Sequence, residues 1–196
     1  MKILVASNNK NKIREIKQIL GDIFEPISLS EAGVVSDPEE TGETFLDNAL
    51  IKARSGMEVS GMPCIADDSG LCVLALNGAP GVYSARYSGE GATDESNNEL
   101  LLKNMEGITD NRACFKSAIA MVFPDGREIT AEGECPGVMI REYRGNNGFG
   151  YDPLFLVEEY GKTFAELDGE IKNVISHRAH ALQSFREKLR ELGMIE

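Results

Sequence analysis

The sequence predicts an α/β fold built on a mixed β-sheet flanked by helices, and three observations lead there. Short apolar runs alternate along the chain with stretches whose apolar residues recur at helical spacing, the interleaving that layers helices on a sheet. Two longer apolar runs in the middle are separated only by Pro124-Asp125-Gly126, which reads as a β-hairpin and therefore demands antiparallel pairing. No internal repeat and no Pro-rich or Ser-rich linker interrupts the 196 residues, so one domain over residues 1–196 is expected.

Taken in order, Lys2 to Ala6 is a short strand that gives way to the polar stretch Ser7-Asn8-Asn9-Lys10-Asn11-Lys12. A helix with Ile13, Ile16, Ile19 and Leu20 on one face follows, closed by Gly21. This strand, loop and helix unit puts backbone N–H groups at a helix N-terminus, where phosphate oxygens are favoured. A second strand is predicted over Pro26 to Leu29, then an acidic, turn-rich stretch from Ser36 to Gly42 that includes Glu39 and Glu40. Thr44 with Asp47 reads as a capping box for a helix carrying Phe45, Ala49 and Ala53. Pro63 to Ala66 and Leu71 to Leu76 read as two strands flanking an acidic loop, Asp67-Asp68-Ser69-Gly70.

Asn77-Gly78-Ala79-Pro80-Gly81 is a turn cluster, and Thr93-Asp94-Glu95 opens a helix through Leu100, Leu101 and Met105. The hairpin strands are Ala113 to Phe123 and Glu128 to Cys135, and Gly145 to Gly150 is a glycine-rich loop. Ser176 is a candidate N-cap for a last helix with Leu182, Phe185, Leu189 and Leu192 as its apolar stripe, ending at Gly193.

Composition narrows the functions. The 42% apolar fraction argues for a packed core rather than disorder. A formal charge of -12 repels nucleic-acid backbone and anionic membrane alike, so neither is an expected partner. A small phosphorylated substrate needs local cations, often with a divalent ion, set against that acidic background. The run Met1 to Ala6 turns polar too soon for a signal peptide or membrane span, which points to a cytoplasmic protein. Cys64, Cys72, Cys114 and Cys135 contain no C-x-x-C pair, and in a reducing compartment they read as buried thiols without disulfides.

Neither a P-loop nor a dinucleotide-binding glycine pattern is present, and Gly145-Asn146-Asn147-Gly148-Phe149-Gly150 leads towards a strand rather than opening a helix. Two readings of Asp67-Asp68-Ser69-Gly70 stand side by side. A buried carboxylate needs a partner, and a divalent cation shared with Glu39 or Glu40 supplies one; a solvated turn with local capping does not need it. Lys12, Lys52, Lys172 and Arg178 are, on spacing alone, ordinary solvated charges. Ser176-His177-Arg178 starts a helix and reads either as a plain N-cap or as an anion site. Phe149 between two glycines is either a stacking platform for a base or a core anchor under a loop. Ser69 lacks a nucleophile elbow, and His177 and His180 are the only histidines, so serine-hydrolase chemistry is a poor match.

Together these segments closely resemble the inosine triphosphate pyrophosphatase family. The resemblance spans nearly the whole chain: Ser7-Asn8-Asn9-x-x-Lys12, then Glu40-Thr41-Gly42-x-Thr44-Phe45-x-x-Asn48-Ala49-x-x-Lys52-Ala53, then Ala66-Asp67-Asp68-Ser69-Gly70-Leu71. It continues through Gly78-x-Pro80-Gly81-Val82-Tyr83-Ser84-Ala85-Arg86-Tyr87, Gly148-Phe149-Gly150-Tyr151-Asp152-Pro153 and Ser176-His177-Arg178. Departures are Ala179 and His180, where a glycine usually follows Ser-His-Arg, and Asp47, where Glu is common.

The resemblance implies a long, twisted mixed sheet, two lobes around a central active-site cleft, and a homodimer. It implies Mg²⁺-dependent hydrolysis of deaminated purine nucleoside triphosphates between the α and β phosphorus atoms. Asp68 is then the catalytic base and a metal ligand, with Glu40 the other ligand and Asp67, close by, counted with them at the metal. Ser7, Asn8, Asn9, Lys10, Asn11, Lys12, Lys52, Ser69 and Lys172 contact the triphosphate. Phe149, Gly150, Tyr151, Asp152, His177 and Arg178 form the base pocket. Two rivals use the same residues differently: a phosphatase, separable by its orthophosphate product, and a non-catalytic nucleotide sensor.

Overall fold

The computed structural model describes residues 1–196 and opens with strand β1 (Lys2–Val5). Helix α1 (Lys10–Leu20) starts where the Asn9 side-chain oxygen accepts hydrogen bonds from the Asn11 and Lys12 N–H groups at 2.9 and 3.2 Å, and it stops at Gly21. Strand β2 (Glu25–Ser28) leads into a one-turn helix α2 (Leu29–Ala32). Helix α3 (Phe45–Ser60) opens on the reciprocal Thr44–Asp47 capping box and ends at Gly61 with φ +67°.

Strand β3 (Cys64–Val73) is continuous, which corrects the expectation of two strands around an acidic loop. The aspartates read as a loop because carboxylates avoid dry strands. Here they are paired with cations, so the backbone ladder runs through them. Leu74–Leu76, expected as strand, winds instead into a short 3₁₀ turn.

Helix α4 (Asp94–Asn104) is capped by Thr93, and β4 (Arg112–Val122) and β5 (Glu128–Met139) are the hairpin strands, closed by Phe123 N–H to Arg127 O at 2.9 Å. Short strands β6 (Phe155–Val157) and β7 (Lys162–Thr163) precede α5 (Gly169–Ile175) and α6 (His177–Glu191). The seven strands form one sheet in the order β2-β1-β3-β4-β5-β6-β7. It is mixed, as expected: β1 runs parallel to β2 and β3, while β5–β6 and β6–β7 are antiparallel.

The chain folds as two compact units. The first comprises Met1–Asp68, Ser117–Gly133 and Arg178–Glu196. Alternation along β1 sends Ile3 and Val5 to one face, where Ile16 and Leu20 of α1 and Leu182, Phe185 and Leu189 of α6 cover them. Leu4 and Ala6 face the other way and pack with Ala49 and Ala53 of α3. That second contact is close: a Cβ on Gly56 would lie 2.5 Å from Cys64 Sγ. Leu192, expected in the apolar stripe of α6, is exposed beyond the helix end.

The second unit comprises Ser69–Lys116 and Glu134–His177. Its core gathers Leu71 and Val73 of β3, Leu101 and Met105 from the end of α4, and an aromatic cluster of Phe115, Phe155 and Phe164. Phe115 and Phe155 meet edge to face at 4.7 Å between centroids.

Candidate active site

In the first unit β3 carries Asp67 and Asp68 side by side, and alternation points them to different surroundings. Asp67 is 1% exposed and saturated with donors. Its Oδ1 meets Lys12 Nζ at 2.6 Å and Arg178 Nη2 at 3.2 Å, while its Oδ2 accepts from Ser117 Oγ at 2.6 Å and Arg178 Nε at 3.2 Å. Burial alone would raise this carboxyl, but Arg178 and then Lys12 outweigh it and hold Asp67 well below the usual carboxylate range. Arg178, also 1% exposed, is held on its other side by Glu15 of α1.

Asp68 has a different company. Lys52 Nζ donates to its Oδ1 at 2.7 Å and lies 3.4 Å from Glu40, tying the two carboxylates to one ammonium. Burial, opposed by Lys52 and Lys12, pushes the Asp68 carboxyl above its ordinary value. Its Oδ2 is buried with no hydrogen-bond partner. A buried carboxylate oxygen without a donor costs stability unless something else binds it. The hard oxygen set of Asp68 and Glu40 fits a divalent cation on that ground. Asp67, expected as a third ligand, is committed to Lys12, Arg178 and Ser117 and does not share Lys52's contact with Asp68 and Glu40.

The loop before α1 caps the start of that helix with its own side chains. Asn9 N–H donates to Ser7 Oγ at 3.1 Å, and Ser7, Asn8 and Lys10 line a 530 Å³ cavity together with Arg14 and Lys17. Asn9, Asn11 and Lys12 stand at the same helix start.

In the second unit Lys172, expected as a triphosphate contact, is held by a carboxylate of its own unit. Its ammonium is buried against Asp152 Oδ2 at 2.6 Å and lies 5.0 Å from the Phe149 ring centroid, among the residues expected to form the base pocket. A buried ammonium needs a carboxylate, and Asp152 is the one at hand. Asp152 Oδ2 also accepts the Phe149 N–H at 3.0 Å. Tyr151 is buried with its hydroxyl on Ser84 O at 2.7 Å, and His177 stacks on Phe115 at 4.7 Å. Gly150 N–H donates to Asp94 Oδ2 at 2.8 Å. Ser69 is half-buried on β3, where Gly70 leaves no room for a Cβ: one would fall 2.4 Å from Ser84 Oγ.

Arg178 is likewise held by ion pairs, in the first unit. Expected in the base pocket, it sits between Asp67 and Glu15, because a guanidinium this buried is stable only where carboxylates neutralise it. Sequence reasoning missed Glu15 and Ser117. Glu15 carried a weak signal, standing three residues after Lys12 and beside Ile16 on the α1 face that turns inward. Ser117 had none beyond a hydroxyl inside an apolar strand.

Fold and site define an α/β protein whose lysines and helix start can meet a polyanion beside two differently tuned carboxylates. More particularly, the chain belongs to the Ham1 family, whose model matches residues 3–188. It is 50% identical over 195 residues to a dITP/XTP pyrophosphatase of Desulforamulus reducens, covering 98% of this chain and 97% of that one. It is 51% identical over 193 residues to a dITP/XTP pyrophosphatase of Haemophilus influenzae, covering 96% and 98%. Among solved structures, the Staphylococcus aureus Ham1 protein superposes with a TM-score of 0.88 at 43% identity, covering 98% of this chain and all (100%) of the other. A HAM1 protein from Coxiella burnetii gives 0.88 at 42% identity, covering 97% and 99%. No helix is long and apolar enough to cross a membrane.

Proposed function

We propose that this protein hydrolyses deaminated purine nucleoside triphosphates (ITP, dITP and XTP) to the nucleoside monophosphate and pyrophosphate, removing non-standard nucleotides from the pool. The relatives named for dITP and XTP span the chain from end to end. The observation that carries the chemistry is Asp68: a buried carboxylate, raised in pKa, with one oxygen on Lys52 and the other without a hydrogen bond.

Asp68 and Glu40 would hold Mg²⁺, which supplies Lewis-acid polarisation of the phosphate oxygens when bound. Lys12 and Lys52, with the Ser7–Lys12 loop and Ser69, bind the triphosphate and offset its charge. The Asp68 carboxylate takes a proton from the attacking water as the water oxygen bonds the α-phosphorus and the bond from that phosphorus to the bridging oxygen breaks. Pyrophosphate leaves with the electron pair of that bond. Asp67 cannot share this role, because its lone pairs are already occupied. It fixes Lys12 and Arg178 instead.

Phe149 is the proposed stacking surface for the base, with Gly150, Tyr151 and Asp152 shaping the pocket. Hypoxanthine and xanthine offer a keto oxygen where adenine has an amino group, so donors such as Lys172, His177 and backbone N–H select for them. Guanine shares that oxygen and is rejected through its 2-amino group. The active species is proposed to be a homodimer, which light scattering checks.

A pyrophosphate-release panel over ITP, XTP, dITP, GTP, ATP and CTP, with Mg²⁺ and with chelator, tests the reading. Inosine and xanthosine nucleotides should be cleaved far faster, and chelator should stop turnover. Equal rates across bases, or release of orthophosphate, would overturn it.

A further inference from the structure

The loop that carries Phe149 is punctuated by glycines with left-handed backbone: Gly145, Gly148 and Gly150 have φ of +85°, +77° and +62°. Glycine enters that region without steric cost but has many other conformations open to it, so contacts from outside the loop must set where the ring stands. At the near end, Asn147 donates through its N–H to Ala165 O at 3.0 Å and through its side-chain amide to Leu167 O at 3.4 Å. At the far end the partner is α4. Asp94 Oδ2 accepts the Gly150 N–H at 2.8 Å, and Asn98 Nδ2 donates to the Gly150 carbonyl at 2.9 Å. Residues four apart stand on one side of a helix, which lets these two side chains take both polar groups of a single glycine.

The peptide unit that Asp94 holds is the one joining Phe149 to Gly150, and the carbonyl of that unit accepts the Asp152 N–H at 3.3 Å. The unit before Phe149 is held too, by the Phe149 N–H on Asp152 Oδ2 at 3.0 Å. Peptide units are planar, so fixing the planes on both sides of the Phe149 Cα fixes the direction in which its ring leaves the chain. Asn98 holds the next plane along. It is 3% exposed, and its Oδ1 is buried with no hydrogen-bond partner. An unmet buried acceptor costs stability, so an apolar side chain would serve the helix better; what the asparagine supplies is the donor to Gly150.

We propose that Asp94 and Asn98 are positioning residues for the nucleotide base. By gripping Gly150 from α4 they hold the Phe149 ring in place beside the Lys172 ammonium, which lies 5.0 Å from the ring centroid, so that a base stacked on the ring meets its donors in register. The inference rests on the reading of Phe149 as the base contact. Without the grip the nucleotide itself has to order the loop, and that cost is paid in affinity. The chemistry at the phosphates, assigned to Asp68, is left alone.

The test is a double-mutant cycle read by steady-state kinetics. Asn98→Ala should raise KM for ITP about three- to tenfold, the loss of one hydrogen bond, with kcat unchanged. In a Phe149→Ala background the same substitution should move KM by less than about twofold, because residues that act through one contact do not add. Asp94→Ala, at the helix surface where folding is safe, should raise KM in the same direction by a smaller factor, since water competes for an exposed bond. Asn104→Ala removes a 2.8 Å hydrogen bond from α4 to the Tyr87 hydroxyl and, as the control, should leave KM unchanged. Asn98→Ala deletes the unmet acceptor along with the bond, so scanning calorimetry should find it folded and about as stable as the control. A wild-type KM in Asn98→Ala, a fall in kcat matching the rise in KM, or full addition to Phe149→Ala overturns the inference; a wild-type KM in Asp94→Ala overturns the part given to Asp94. Phe149→Ala with a wild-type KM overturns the reading of Phe149 as base contact, and this inference falls with it.

Discussion

Replacing each of the two adjacent aspartates by asparagine should produce opposite defects. Asp67→Asn takes from Lys12 its 2.6 Å partner and leaves Glu15 to hold the buried Arg178. Breaking a buried pair by removing one member costs about 3–5 kcal/mol. In a chain of this size about 2–4 °C of melting temperature goes with each kcal/mol, so the midpoint should fall by roughly 6–20 °C. Lys12 moderates the loss, since burial already lowers its pKa and it can shed its proton.

Asp68→Asn is different. Lys52 keeps Glu40 at 3.4 Å, and the lost carboxylate was one that burial disfavoured, so stability should change by no more than about 1 kcal/mol. Turnover should fall by several orders of magnitude, on the order of 10³-fold or more, with substrate binding retained. Scanning calorimetry and single-turnover pyrophosphate release separate the two.

The pH dependence adds a check on sign. The folded Asp67 carboxyl is held below its unfolded value, so its stabilisation is complete above that unfolded value, about 4, and is lost as pH falls towards the folded one. The gap between wild type and Asp67→Asn should be constant at neutral pH and shrink below about pH 4. An Asp67→Asn protein melting within about 2 °C of wild type at pH 7, well short of the expected fall, would refute the reasoning. So would near-normal turnover in Asp68→Asn.

Three further outcomes are expected. Phe149→Ala removes the stacking surface and should raise KM for ITP roughly tenfold or more, about 1–3 kcal/mol of base stacking, which steady-state kinetics reads directly. Lys172→Met withdraws the ammonium from Asp152 and should lower the ratio of kcat/KM for ITP over ATP; an unchanged ratio would remove Lys172 from base selection. Gly70→Ala places a methyl 2.4 Å from Ser84 Oγ and 2.5 Å from the Gly81 carbonyl, so the urea midpoint should drop by the equivalent of about 1–3 kcal/mol.

What the sequence determined by itself was the local grammar and the cast of residues. Thr44 with Asp47, and Thr93, announce α3 and α4 because a cap acts on N–H groups two or three residues away. The apolar stripe of α1 and the central hairpin were legible for the same reason. Asp68, Lys12, Lys52, Glu40 and Phe149 could all be named from their motifs. Tertiary structure decided the roles. Nothing in two neighbouring aspartates says which will meet Ser117, 50 residues on, and Arg178, 111 residues on, and which will keep an oxygen without a hydrogen bond. The strand through residues 67–70, the place of Arg178 beside Glu15, and that of Lys172 beside Asp152 depend on the same thing. A buried charge takes its energy from partners brought by distant segments, and so does the chemistry it can perform.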